Sequence, residues 1–221
     1  CEGAEIPSDV TTIGEGAFGR RNRLKEITLP EGIKTISKSA FALCENLSKV
    51  KLPDSLTTIE ENAFRQTALT SVTIPKGVTR IDNAFIGCSS LTQLQVAGEN
   101  PVYDSRDDCN AIIRKSDNAL IQGCSTTKIP SDITTIESQA FEKLNSLKAI
   151  ELPEGLTTIG NMAFQDCSNL KVISFPDTVT EIGISAFGGC DTLKEVVLPE
   201  NLKKLDYYPF ANCDELQTVV I

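Results

Sequence analysis

The chain is predicted to fold as an α/β solenoid, a stack of short coils in which each coil supplies short strands and one short helical or 3-10 turn. Three observations predict it. The apolar series Leu24, Ile27, Leu29, Ile33, Ile36, Ala40, Phe41 and Cys44 begins again at Leu47, a period of 23 residues. Prolines mark the same register at Pro7, Pro30, Pro53, Pro75, Pro130, Pro153, Pro176 and Pro199. A phenylalanine follows ten or eleven residues after each, at Phe18, Phe41, Phe64, Phe85, Phe141, Phe164, Phe187 and Phe210. A unit repeated at a fixed period of roughly 20 to 50 residues cannot bury its apolar side alone and does so by stacking on its neighbours.

One coil shows why each element is expected. From Leu24 to Leu29 the end of the segment alternates, Ile27 inward, Thr28 outward and Leu29 inward, which is the pattern of a half-buried strand. Pro30 has no N–H for a ladder and closes that strand. Glu31 and Gly32 supply a turn, as do Asp54 and Ser55 or Glu154 and Gly155 in other coils. A second extended piece follows with Ile33 and Ile36 inward, often preceded by β-branched residues, as at Thr57-Thr58-Ile59 and Thr157-Thr158-Ile159. Lys38 to Phe41 is expected to make about one helical turn, Ala40 admitting a close neighbour and Phe41 filling the interior. Coils are expected at about the 4.8 Å spacing of strands in a sheet.

The whole chain, 1–221, reads as one array: four repeats over 1–96, an insertion over 97–127 and four repeats over 128–221. Two slips of one residue, near Arg65–Leu69 and Thr79–Ala84, belong on turns, where length changes cost least. In the insertion, the apolar runs from Ala111 to Arg114 and from Ala119 to Gln122 flank the polar stretch Lys115-Ser116-Asp117-Asn118, the signature of a β-hairpin. Ile6 to Ile13 is nearly repeated as Ile129 to Ile136, a longer period of 123 residues. Cys1 aligns with Cys124 in this period. It reads as the end of an earlier hairpin or as a lipoprotein attachment cysteine, the alignment favouring the first. The chain is therefore expected to be a slice of a longer array, whose uncapped terminal coils expose strand edges suited to end-to-end self-association.

The Leu-Pro or Ile-Pro step, as at Leu52-Pro53, and the Ala-Phe-x-x-Cys step, as at Ala163-Phe164-Gln165-Asp166-Cys167, resemble the BspA-like leucine-rich repeats of bacterial surface proteins. The resemblance covers essentially the whole chain. It implies a right-handed leucine-rich solenoid at a cell surface or outside the cell, with roles in adhesion and in binding host or matrix proteins. It also makes the Asn100-Pro101-Val102-Tyr103 segment a recurring elaboration of the family, hence an ordered part of the stack.

Composition narrows the function. A net charge of −9 with no basic cluster argues against nucleic acid and anionic membranes as partners. No run of 18 or more apolar residues is present to span a bilayer. With no histidine, Ser-His-Asp and Cys-His catalysis and imidazole metal sites are removed together. No enzyme activity, metal or cofactor is expected. Cys44, Cys88, Cys167, Cys190 and Cys213 share one repeat position and form an interior column of small apolar groups. Cys109 and Cys124 bracket the hairpin and are candidates for a disulfide. Asp104, Asp107 and Asp108 lack the spacing of a calcium loop and read as a solvated turn.

The candidate binding surface is the outward side of the first strand of each coil. Its ligand-binding candidates are Glu26, Thr28, Lys49, Lys51, Ser71, Thr73, Gln93, Gln95, Glu151, Val172, Ser174, Glu195 and Val197. The shift towards valine at Val172, Val197 and Val220 suggests an exposed apolar patch. Two functions follow: a non-catalytic recognition or adhesion module that binds a protein or glycan, host-derived ones included, through this face, or a structural spacer with no ligand of its own.

Overall fold

The structure, a computed structural model, describes residues 6–221, so Cys1 and the readings attached to it lie outside the described residues. The second extended piece of every repeat becomes a two-residue strand. Thr12–Ile13, Thr35–Ile36, Thr58–Ile59 and Arg80–Ile81 pair in parallel, each isoleucine opposite the next. Thr135–Ile136, Thr158–Ile159, Glu181–Ile182 and Lys204–Leu205 do the same in the second half. In the first seven of these strands the isoleucine is buried, so one inward side chain per coil fixes the register; Leu205, in the last, is half exposed.

The Ala-Phe segment corrects the expected helical turn and with it the α/β class. Among the described residues the one helical element is a 3-10 turn, Arg106–Asp108, in the insertion. Each repeat instead places two residues in the left-handed region, two before and two after its phenylalanine. The first set is Gly16, Ser39, Asn62, Asn83, Gln139, Met162, Ser185 and Tyr208; the second is Arg20, Leu43, Gln66, Gly87, Lys143, Asp166, Gly189 and Asn212. Their φ values run from 40° to 71°. A helix keeps its hydrogen bonds within itself, whereas this alternation turns every second N–H outward to the next coil. Ser39, Phe41 and Leu43 donate to the carbonyls of Glu61, Ala63 and Arg65 at 3.0, 2.8 and 2.8 Å, while Ala40 and Ala42 bond back to Ser37 and Ser39 at 3.1 and 3.0 Å. The molecule is thus a β-solenoid with a second inter-coil ladder made of turns.

That ladder sets the interior. Phenylalanine rings stack from Phe18 to Phe85 at centroid spacings of 5.1, 5.2 and 5.4 Å, and again from Phe141 to Phe187 at 4.9 and 5.0 Å. Each column cysteine directs its thiol at the phenylalanine carbonyl of the preceding phenylalanine-bearing coil, Cys44 at Phe18, Cys167 at Phe141 and Cys190 at Phe164, at 2.9, 3.1 and 3.3 Å. Where the third coil lacks the cysteine, the Thr67 hydroxyl bonds to the Phe64 carbonyl at 3.0 Å and meets the Cys88 sulfur at 3.3 Å.

The insertion enters the stack as a layer. Ala111–Arg114 pairs antiparallel with Ala119–Gly123, and Tyr103–Asp104 adds a third strand beside Ala111–Arg114. Ala119–Gly123 then pairs in parallel with Thr135–Ile136, so the layer is continuous with the second half. Its side chains alternate between two cores: Ile112 and Ile121 pack with the first four repeats, Ala111, Ile113 and Leu120 with the last four. Burial on both faces is why these runs are apolar without a break. Asn100 and Tyr103 join the layer to the fourth repeat. The Asn100 amide donates to the carbonyls of Pro75 and Val78 at 3.0 and 2.8 Å, and the Tyr103 hydroxyl accepts from the Ile81 N–H at 3.3 Å.

The turn ladder crosses this layer through one buried side chain. Phe85 N–H, whose counterparts at Phe18, Phe41, Phe64, Phe141 and Phe164 donate to the alanine carbonyl of the next coil, donates to Gln122 Oε1 at 3.4 Å; Gln122 Nε2 donates to the Ala140 carbonyl at 2.8 Å. The Gln122 amide therefore takes the place of an Ala-Phe peptide group. Gly123 lies against the ring of Phe141, and a Cβ built on it would meet Phe141 Cε1 at 2.0 Å. Gly123→Ala is expected to destabilise the chain by about 2 kcal/mol or more through overpacking. Gln122→Met, similar in volume, is expected to lose about 1 to 3 kcal/mol by leaving Phe85 N–H unpaired, while the Ala140 carbonyl keeps the Gly123 N–H at 2.9 Å. Urea denaturation followed by circular dichroism measures both.

Candidate functional site

All thirteen candidate residues of the first-strand face are exposed. They alternate with buried side chains such as Ile27, Val72, Leu94, Ile173 and Val196, which hold the outward positions on a fixed lattice. Register pairing sets Glu26 beside Lys49 and Thr28 beside Lys51, then Ser71 beside Gln93 and Thr73 beside Gln95. At the other end Glu195 lies beside Thr218 and Val197 beside Val220. The first half of the face is polar and charged. The second half carries Val172 at 64% exposure and Val197 at 55%.

The face is not one sheet. Its strands join in pairs, Glu26–Thr28 with Lys49–Lys51, Ser71–Ile74 with Gln93–Val96, and Glu195–Val197 with Thr218–Val220. Between the last two pairs a single bridge, Ala149 to Val172, stands where two strands were expected, and Glu151 and Ser174 lie outside any strand. The face therefore opens where the Thr-Ile side stays closed.

Two grooves flank Val172 at these openings. One, of about 780 Å³, lies between Thr127–Ile129 and the segments around Ala149 and Ser174; it contains Glu151 and is walled by Leu152 and Phe175. The other, of about 800 Å³, lies between Val172 and Val197 and carries Lys171, Lys194 and Glu195. The groove walls Lys128, Phe175, Lys171 and Lys194 were not among the candidates. Phe175 had a readable signal, since it occupies the position before proline that is leucine or isoleucine in the other seven repeats. Its ring packs edge-on against Phe187, centroids 5.5 Å apart at 82°.

The remaining candidates resolve as structure. Cys109 and Cys124, considered for a disulfide, are free buried thiols in separate cores. Cys109 Sγ faces the Ala111 carbonyl and Cys124 Sγ the Asn110 carbonyl, at 3.8 and 3.3 Å. Asp104 accepts from Arg106 Nε at 3.0 Å, and Arg106 also bonds to Asn118 and Asp132. Arg114 grips Asp117 at 2.7 Å and Glu137 at 2.6 Å, tying the hairpin to the fifth repeat and holding the Asp117 carboxyl below its ordinary range. Among the described residues, no group of three or more metal-ligating side chains is placed to hold an ion. None of their helices is long and apolar enough to cross a membrane.

Burial pushes the Cys109 thiol up to about 11 and the Cys167 thiol up to about 12, and raises Cys88 and Cys190 as well. These thiols are protonated in the fold while an unfolded chain ionises near 9. Their contribution to stability is complete below pH 9 and is lost as pH rises through about 11 and 12. Native protein at pH 8 is accordingly expected to leave Cys88, Cys109, Cys167 and Cys190 unalkylated by iodoacetamide over hours, with full labelling in urea; mass spectrometry of peptides reads this out.

A family model described as BspA type Leucine rich repeat region matches residues 1–105 and 117–221, in six copies. Among solved structures, a leucine rich cell surface protein from Faecalibacterium prausnitzii A2-165 is 33% identical with a TM-score of 0.77, over 92% of this chain and 61% of that one. The pneumococcal vaccine antigen PcpA is 31% identical with a TM-score of 0.77, over 89% of this chain and 50% of its own. A leucine-rich repeat protein from Bacteroides ovatus ATCC 8483 is 29% identical with a TM-score of 0.66, over 98% and 54%. The chain thus spans between half and three-fifths of the length of these relatives. No curated protein matches it.

Proposed function

Because the chain belongs to the BspA-type leucine-rich repeat family, we propose that it is a non-catalytic recognition module of a bacterial surface or secreted protein, and that it captures a protein partner through the valine half of its strand face. One observation carries this reading: Val172 is 64% exposed between two open grooves, at a position the fold leaves free to be polar. Burial of an apolar side chain of this size on binding contributes about 1.5 to 3 kcal/mol. The lattice beneath it is buried and hydrogen-bonded from coil to coil, so ligation orders little backbone and most of that gain is retained. Lys171, Lys194, Glu151 and Glu195 rim the patch with both signs of charge, the arrangement of an apolar centre and polar edge that protein interfaces share.

The similar structures support the setting, one being named a cell surface protein and another a vaccine antigen. Adhesion to host or matrix protein is the form of recognition that fits an exposed surface array.

Val172→Asp and Val197→Asp are expected to weaken capture of matrix proteins from a fibronectin, laminin and collagen panel by about tenfold or more each, since each places an unpaired charge in a buried contact. Thr28→Asp, in the polar half, is expected to leave capture within about twofold. Thermal unfolding of all three is expected to match the parent, because exposed strand positions contribute little to stability. Surface plasmon resonance against the panel decides the matter. Equal capture by all variants removes this face from recognition, and no saturable capture by the parent leaves the chain a spacer.

A further inference from the structure

The strand face carries a charge pattern that the sequence scatters. The position after the first buried leucine of the strand segment is Lys148, Lys171 and Lys194 in three successive coils, 23 residues apart each time. All three are exposed. The Lys171 N–H bonds to the Lys148 carbonyl at 3.1 Å, and Lys171 and Lys194 line one groove, so stacking gathers into a column cations that are remote in the chain. The phenylalanine spacings of 4.9 and 5.0 Å in this half give the distance between coils. Like charges set side by side on neighbouring strands repel, so the fold gains nothing from the column. Ser48, Thr70, Thr92 and Gln217 hold the same place with neutral groups, and Lys25 is the one other lysine there. Among the described residues, Lys148 and Lys171 have no ion-pair partner, while Lys194 meets Glu215 at 3.3 Å. Ser146 and Asn169, which lead into these strand segments, are uncharged.

We infer that the partner of the valine patch is an acidic amphipathic helix, laid along the stack with its carboxylates on the lysine column and its aliphatic side on the valines. The inference rests on the recognition reading above and narrows it to one partner chemistry. Complementary charge beside an apolar centre sets the register of a complex and disfavours wrong partners. The spacing selects a helix. Side chains three and four residues apart lie about 4.5 and 6 Å apart along a helix axis, which brackets the coil spacing, so Asp or Glu at that interval meets successive lysines. An extended strand running the same way sets its same-side groups about 6.8 Å apart and is out of step by the third coil. The groove of about 800 Å³ between Val172 and Val197 lies directly beside Lys171 and Lys194 and receives the aliphatic side. Glu151 and Glu195 stand on the valine side of the column, which confines the acidic edge of the helix to the lysines. An anionic polysaccharide would meet the lysines but leave the adjoining valines uncovered, so the pairing of the two favours a peptide.

The test uses the full chain and a fluorescein-labelled, alanine-based helical peptide of about 20 residues, with glutamate every third or fourth residue on one side and leucine on the adjoining side. A control peptide has lysine in place of glutamate, and fluorescence anisotropy reads both. The acidic peptide is expected to bind saturably and the control about tenfold or more weakly. Lys148→Glu and Lys171→Glu are each expected to weaken the acidic peptide by about fivefold or more. Lys171→Arg, and Thr92→Glu at the same place in another coil, are expected to stay within about twofold. Melting temperatures of all these variants are expected to match the parent, since the positions are exposed. No saturable binding of the acidic peptide by the parent, or equal binding by parent and both lysine reversals, overturns the inference. Binding of heparin that depends on the lysines and not on Val172 overturns it in favour of an anionic polysaccharide. The two readings separate on the matrix panel: capture lost in Val172→Asp but kept in Lys171→Glu sinks the acidic helix and leaves the valine face standing. No effect of Val172→Asp on either probe removes the valine face and this inference with it.

Discussion

The constraint on which this molecule depends is that every coil hands backbone hydrogen bonds to the next. A two-residue strand is too short to be stable by itself, and a turn with two left-handed residues costs conformational energy wherever the side chain is not glycine, asparagine or aspartate. Both become stable because the same N–H groups find carbonyls one coil away, as Phe41 finds Ala63 and Phe164 finds Ala186. A net gain of about 0.5 to 1.5 kcal/mol per bond is modest, but the bonds recur in register and an unmade one in this interior costs more than a made one gains. The alanine before phenylalanine in seven of the eight repeats follows from this. It sits where the next backbone must approach, and any larger side chain would separate the ladders.

The cysteines gain a role from the same constraint. Reading them as small apolar residues accounts for their burial but leaves open why serine or alanine does not alternate with them. Each thiol reaches a phenylalanine carbonyl of a neighbouring coil while its sulfur fills the space beside the ring column. A hydroxyl at this place turns to the phenylalanine carbonyl of its own coil, as Thr67 does to Phe64, at a greater desolvation cost; a methyl only fills the space.

The period, the proline register, the ring column and the hairpin were legible in the sequence because each is carried by residue types with few alternatives. The left-handed turns were not. Gly16, Asn62, Asn83, Gly87, Gly189 and Asn212 announce them, but Arg20, Leu43, Met162 and Tyr208 stand at matched positions, so the signal emerges only when all eight repeats are superposed. Lysine, serine and alanine before phenylalanine also satisfy helix propensity, and local preference yields here to inter-coil pairing. Gln122 was hidden for a different reason. Its amide imitates a peptide group across a layer boundary, and a boundary leaves no repeat against which to notice it. On the face, outward positions were readable from alternation alone, whereas the opening of the strands around Ala149 and Val172 has no counterpart in that alternation.

A scaffold held by backbone bonds and inward side chains leaves its outward positions energetically independent, and this independence is what makes a repeat suitable for recognition. Glu26, Lys51, Gln95, Val172 and Val197 occupy two equivalent outward positions of the first strand with different chemistry at little cost to the fold. The left-handed turn positions are not neutral in this way, since their backbone favours glycine or asparagine over Ser39, Gln139, Met162, Ser185 and Tyr208 alike. Drift among solvent-exposed residues explains valine on a strand face as readily as selection does. What distinguishes Val172 is its place, between two grooves where the strands part around Ala149. Where the scaffold is indifferent, chemistry and shape together identify a site.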